Sequence, residues 1–185
     1  VSQYISLFDF LNRKDHSETY DQYFGFAVEE FDSVFNLDPL PNTVSEIQNS
    51  ARNFKVKANY INNEFSKKFL SNRSFKNSVL HFATHNSLVP NEIFGSIPAL
   101  ITGDQNPSEV LDVLSISELD LEESFILLAA CNTTDLIYED NDAFSGIVKS
   151  FKIAGAESVF ATRWEIETKS SEKFVVSFLK KTTCG

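Results

Sequence analysis

Two side chains in this sequence combine reactive chemistry with a setting that suits it: the imidazole of His85 and the thiol of Cys131. His85 stands one residue beyond the apolar run "SVLHFAT" (78–84), and Cys131 one residue beyond "FILLAA" (125–130). An imidazole beside a thiol favours the nucleophilic thiolate and can later protonate a departing amine. Asn132, Thr133 and the backbone after Cys131 are candidate donors to the oxyanion formed by such an attack. Taken singly, a cysteine after an apolar strand is commonly an inert buried thiol, and a histidine there a polar rim residue. Their matched positions make the two a candidate Cys/His dyad.

The elements around them must hold the two side chains together. A third apolar run, "ESVFATRW" (157–164), joins the first two, and none of the three alternates in polarity. Such runs suit strands buried on both faces, as in a parallel sheet covered by helices. Between the last two runs, Phe144, Ile147, Val148, Phe151 and Ile153 fall at helical spacing, and Gly155 is a plausible stop. Upstream, the Pro39 and Pro41 turn leads into a helix from Thr43. Asn42 or Thr43 is its N-cap, and Glu46 is placed to complete a capping box. A second helix is expected over 63–72, with Phe65, Phe69 and Leu70 on one side.

The segment from Val89 to Val110 is rich in Pro and Gly and reads as a loop with room for a short hairpin. A short helix from Ser117 leads into the 125–130 run. Residues 1–35 mix aromatics with acids, and "GFAVEEF" fits either a strand or a helix start. The whole order predicts a doubly wound α/β sheet, which gathers functional residues past the carboxyl ends of its strands. Neighbouring strands run about 5 Å apart, so His85 and Cys131 would meet on one rim.

Composition narrows the function. The 185 residues, 42% hydrophobic and 23% charged, suit one globular domain. A formal net charge of −10 argues against direct nucleic-acid binding, which needs clustered Lys and Arg to displace counterions. No run approaches the roughly 18 apolar residues of a membrane span, and no secretory signal pattern opens the chain. The two cysteines, Cys131 and Cys184, are no disulfide framework, so a reducing compartment such as the cytoplasm is expected. A start at Val1 and a complete lack of Met suggest a piece of a longer chain. Eighteen Phe against one Trp read as core filling.

Other reactive residues carry weaker signals. His81 lies inside its strand and reads as a core histidine or one that supports the site. His16 sits in a polar stretch, and Cys184 near the end reads as inert. Glu139, Asp140 and Asp142 read first as a solvated acidic loop, with cation binding the lesser alternative. Zinc-ligand spacing and a phosphate-cradling Gly-rich loop are both absent, so neither metal nor cofactor is expected.

Several segments taken in order resemble the CHAT domain, a caspase- and separase-related family of cysteine peptidases often found beside tetratricopeptide repeats. They are "HFATHN" (81–86), "VLSISELDL", "AACNT" (129–133) and "FSGIVKSFKIAGAESVFATRW". The resemblance runs over roughly 40–180. It divides the chain into an N-terminal segment, 1–39, belonging to the same domain or to a preceding region, and a CHAT-like domain, 40–185, with a shortened C-terminal helix. It implies a caspase-like three-layer α/β/α sandwich with a mostly parallel central sheet. It also implies His85 as the catalytic histidine, in preference to His81, and Cys131 as nucleophile.

By the same resemblance, backbone amides at Asn86 and Cys131 form the oxyanion hole, and Trp164, Glu165 and Glu167 contribute to substrate binding. Two positions depart from the pattern. Asn86 stands where the family usually has Gly, and Thr168 where it often has an Asp that helps hold a basic P1 side chain. Glu167 is a possible substitute. The expected function is therefore a cysteine endopeptidase acting on protein or peptide substrates, switched on by an attached repeat, sensor domain or partner. The alternative is a catalytically degenerate domain that serves as an interaction or signalling module.

Overall fold

The computed structural model describes residues 20–129, 142–161, 173 and 175–180, with backbone only for 142–145. Five strands form the central sheet: β1 (Gln22–Ala27), β2 (Val56–Ile61), β3 (Ser78–Ala83), β7 (Phe125–Leu128) and β8 (Ser158–Ala161). Their order is β2-β1-β3-β7-β8, and every pairing is parallel. A second, antiparallel sheet joins β4 (Asn86–Asn91), β5 (Gly95–Leu100) and β6 (Leu111–Asp112). The α/β architecture with helices on both faces is that of a caspase-like sandwich, as the sequence implies.

The three apolar runs become β3, β7 and β8, but burial on both faces fails for β8, which ends the order of the described strands and keeps its side chains partly exposed. Every residue of β3 is buried. Alternate side chains of β3 serve the two layers. Leu80 and Phe82 join a large core that includes Phe26, Phe65, Ile116, Ile126, Ile147 and Phe151. That core lies under α3 (Val113–Ser117) and α4 (Asp142–Ile153). Val79 and Ala83 face the other side, where α1 (Thr43–Ala51) supplies Ile47 and Ala51, and residues 175–180 supply Val175 and Leu179. The phenylalanines explain their number here: Phe26 stacks on Phe82 with ring centroids 4.9 Å apart and on Tyr60 at 5.3 Å. Such pairs add about 0.5–1.5 kcal/mol each beyond their buried area.

Several local expectations are corrected. β2 has no clear apolar run because it is an edge strand with partly exposed side chains. The single helix expected over 63–72 is split into a 3-10 turn (Asn62–Glu64) and α2 (Lys67–Ser71). Asn62 takes a positive φ of 48°, and Ser66 starts a new helix by accepting the Phe69 N–H at 3.1 Å. The Pro- and Gly-rich segment holds the hairpin β4–β5, with strands of six residues each. α3 begins at Val113, ahead of Ser117, because Asp112 caps it through the Ser115 N–H at 2.8 Å.

The capping box expected at α1 does not form. Asn42 is the N-cap, at φ 81°, with no side-chain bond to the helix. Glu46 instead turns to the sheet, where it meets His81. A tertiary partner has displaced the local one. The helix on 142–156 ends as expected, with Gly155 at φ 99° and the Ala156 N–H bonded to the Phe151 carbonyl.

Candidate functional site

β3 ends at Ala83, and Thr84 and His85 carry the chain across to β4. This crossing is tied down by residue 101. The Thr84 hydroxyl donates to the Ile101 carbonyl at 2.7 Å, and the Ile101 N–H donates to the His85 carbonyl at 2.9 Å. His85 is thereby fixed at its backbone before its ring makes any contact.

The ring is fixed as well. Its Nε2 lies 2.8 Å from the backbone carbonyl oxygen of Asp38, and the Phe31 ring packs against it with centroids 4.7 Å apart. A carbonyl can only accept, so Nε2 must carry the hydrogen. In the neutral ring that leaves the lone pair on Nδ1, which is the tautomer able to take a proton there. His85 is 1% exposed. The imidazole comes from the exit of β3, and the carbonyl and aromatic ring from the connection between β1 and α1, joined only by the fold.

The Asp38 carbonyl is itself well anchored. It belongs to the connection between β1 and α1, where the Leu40 N–H donates to the Glu29 carbonyl at 2.9 Å. Thr43 Oγ1 donates to the Val28 carbonyl at 3.2 Å. Earlier in the same connection, the Gln105 side chain donates to the Glu30 carbonyl at 2.7 Å and accepts the Asp32 N–H at 2.9 Å. These bonds bracket Phe31 and Asp38, the two residues that touch the imidazole.

β7 lies beside β3 in parallel register, with Leu80 against Ile126 and Phe82 against Leu128. The Ala129 N–H continues the ladder to the Phe82 carbonyl at 3.0 Å. Cys131, Trp164, Glu165 and Glu167 lie outside the described residues, as do Asn132, Thr133 and Thr168. Asn86 is the first residue of β4, half-buried and paired with Leu100. It is absent from the residues with positive φ, so the left-handed tolerance of Asn is not used there.

His81 is buried but differently partnered. Its Nε2 lies 2.9 Å from Glu46 Oε1, and its Nδ1 lies 2.8 Å from the Tyr23 hydroxyl. That hydroxyl also donates to the Ile47 carbonyl at 3.2 Å. Burial first, and the nearby Glu46 carboxylate second, push the Tyr23 phenol well above its usual range, so it stays protonated. Sequence reasoning marked His81 as a core or supporting histidine, and it missed Tyr23, Phe31 and the Asp38 carbonyl.

Among the described residues, no group of three or more His, Cys, Asp or Glu is placed to hold a metal ion. Among them also, no helix is long and apolar enough to cross a membrane. A model of the CHAT domain family matches the sequence over residues 4–183. No curated protein matches it.

Proposed function

The chain belongs to the CHAT domain family, which is related to caspase-like cysteine peptidases, and on that premise we propose that it is a cysteine endopeptidase working through His85 and Cys131. One observation carries the reading: the register of β3 on β7. Phe82 stands beside Leu128. His85 comes three residues after the first of these, and Cys131 three residues after the second. Equal steps from one register pair of adjacent parallel strands favour two side chains on one rim.

The reaction then runs as follows. The Cys131 thiol gives its proton to His85 Nδ1, the nitrogen that the Asp38 carbonyl leaves with a lone pair. The thiolate attacks the peptide carbonyl, and backbone amides at Asn86 and Cys131 donate to the oxyanion. The imidazolium passes its proton to the departing amine, which leaves as the peptide bond breaks. Water, deprotonated by the same imidazole, releases the acyl group and restores the thiol. Substrates are proteins or peptides held beside Trp164, Glu165 and Glu167. A regulatory repeat, sensor or partner protein is the expected activator.

The test is labelling with a peptidyl acyloxymethyl ketone, read by mass spectrometry at Cys131. Wild type labels and Cys131→Ala does not. Equal labelling of the two, under conditions that activate the protein, ends the enzyme reading. The degenerate-module reading, motivated by Asn86 and Thr168, predicts instead that Cys131→Ala leaves biological function intact.

A further inference from the structure

His81 in β3 and His85 just beyond its end are each bonded to the same neighbouring stretch of chain at a different point. His81 holds α1 itself, through Glu46 at 2.9 Å. His85 holds the Asp38 carbonyl, in the connection that leads into α1. Pro39 and Pro41 lie between that carbonyl and the helix, and their fixed φ stiffens the short span. A shift of α1 along the sheet would therefore carry the Asp38 carbonyl with it.

The sheet is shaped to receive α1 at this point. Gly25 is the β1 neighbour of His81 in the register. A Cβ at Gly25 would lie 2.9 Å from Ile47 Cβ and 2.6 Å from Asn59 Oδ1, closer than packed atoms tolerate. The absent side chain lets α1 come down far enough for Glu46 to reach His81. Tyr23, two residues earlier on β1, closes the network from below by bonding both His81 and the Ile47 carbonyl.

Helix-to-sheet adhesion alone does not account for this polar set. An apolar pair of similar volume commonly serves stability as well as or better than a buried carboxylate and imidazole. What directional bonds add is a defined position. We propose that Glu46, His81 and Tyr23 are positioning residues, which fix α1 on β3 so that the Asp38 carbonyl stays on His85 Nε2. The effect on the ring stands by itself, whereas its consequence for activity rests on the cysteine-peptidase reading above.

The experiment uses the full chain, labelled with 15N, and two readouts. The first is solvent exchange of the His85 ring Nε2 proton relative to the backbone amides of β3 in 1H–15N spectra, since a loss of stability alone speeds both alike. The second is the rate of Cys131 modification by the acyloxymethyl ketone probe. Glu46→Leu keeps volume and removes the acceptor, and it should speed exchange of the His85 ring proton by about tenfold, the scale of one lost hydrogen bond. Glu46→Gln keeps an oxygen that accepts the His81 Nε2 proton and should restore the wild-type rate.

A folded Glu46→Leu protein with an unchanged His85 proton overturns the proposal. If that variant fails to fold, Tyr23→Phe decides, because it removes one oxygen and little volume. It should speed exchange by about threefold, and no change there overturns the proposal equally. If the ring proton responds as expected while no variant or wild type labels at Cys131, the positioning role holds and the peptidase reading falls.

Discussion

His81 in β3 and His85 just past its end are both buried and only four residues apart, yet they are held by opposite means. His81 is gripped on both nitrogens by side chains, the Glu46 carboxylate and the Tyr23 phenol. At His85, Nε2 is held by a backbone carbonyl, and an aromatic ring lies against the imidazole. A ring spanning a carboxylate and a phenol is committed to joining elements. A ring oriented by a carbonyl keeps its tautomer, and so suits proton transfer at the other nitrogen. The strand thus holds a bolt in His81, and its exit, four residues on, holds the candidate base His85.

Substitutions test how deep that contrast goes. The largest effect on stability is expected from Glu46→Ala, which leaves the buried His81 without its carboxylate. A loss of about 3 kcal/mol in urea unfolding is expected. A loss no greater than that of an exposed residue would erase the distinction between bolt and base. His85→Ala should cost about 2 kcal/mol, from lost packing on Phe31 and one lost hydrogen bond.

Tyr23→Phe should cost about 1 kcal/mol near neutral pH, since the ring stays and only its bonds go. The same variant has a signature in alkali. The folded-state pKa of Tyr23 is raised, so the unfolded chain loses this phenol proton first as pH rises. Stability from the buried phenol is therefore full below about pH 10 and falls above it, by up to about 1.4 kcal/mol per pH unit. Wild type should show that added alkaline slope and Tyr23→Phe should lack it. Parallel pH curves for the two would show that the phenol is not sequestered.

The smallest effect is expected at Asp38. Its side chain is exposed and only its carbonyl touches His85. Asp38→Ala should shift stability by less than about 0.5 kcal/mol and leave the His85 ring proton in place. A large change would mean that the carboxylate, and not the carbonyl, is the partner that matters.

The same contrast marks what the sequence could disclose. β3 and β7 are legible because strands buried on both faces need apolar residues throughout, whereas β8 is legible from its apolar run although its side chains stay partly exposed. The position of His85 past β3 follows directly. Its partner does not, because a carbonyl is present at every residue and Asp38 looks like any surface acid. β2 is hidden for the opposite reason: an edge strand with partly exposed positions, Lys57 and Asn59 among them, has no unbroken apolar run. Glu46 shows how a local pattern misleads. Its spacing from Thr43 satisfies a capping box, but the carboxylate finds a buried imidazole that no local rule anticipates. The hairpin β4–β5, for which the Pro- and Gly-rich segment leaves room, is more extensive than expected, because Pro90 and Pro98 argue against strands until the pairing is known.

The central claim is that His85 acts on Cys131. It is tested most directly by the rate at which the acyloxymethyl ketone modifies Cys131 in wild type and in His85→Gln, with folding checked by circular dichroism. General-base assistance is worth about 10²–10⁴ in rate, so the account predicts at least a hundredfold slower modification in His85→Gln. Equal rates in the two proteins, at every pH from about 6 to 8 where histidine changes charge, would contradict it.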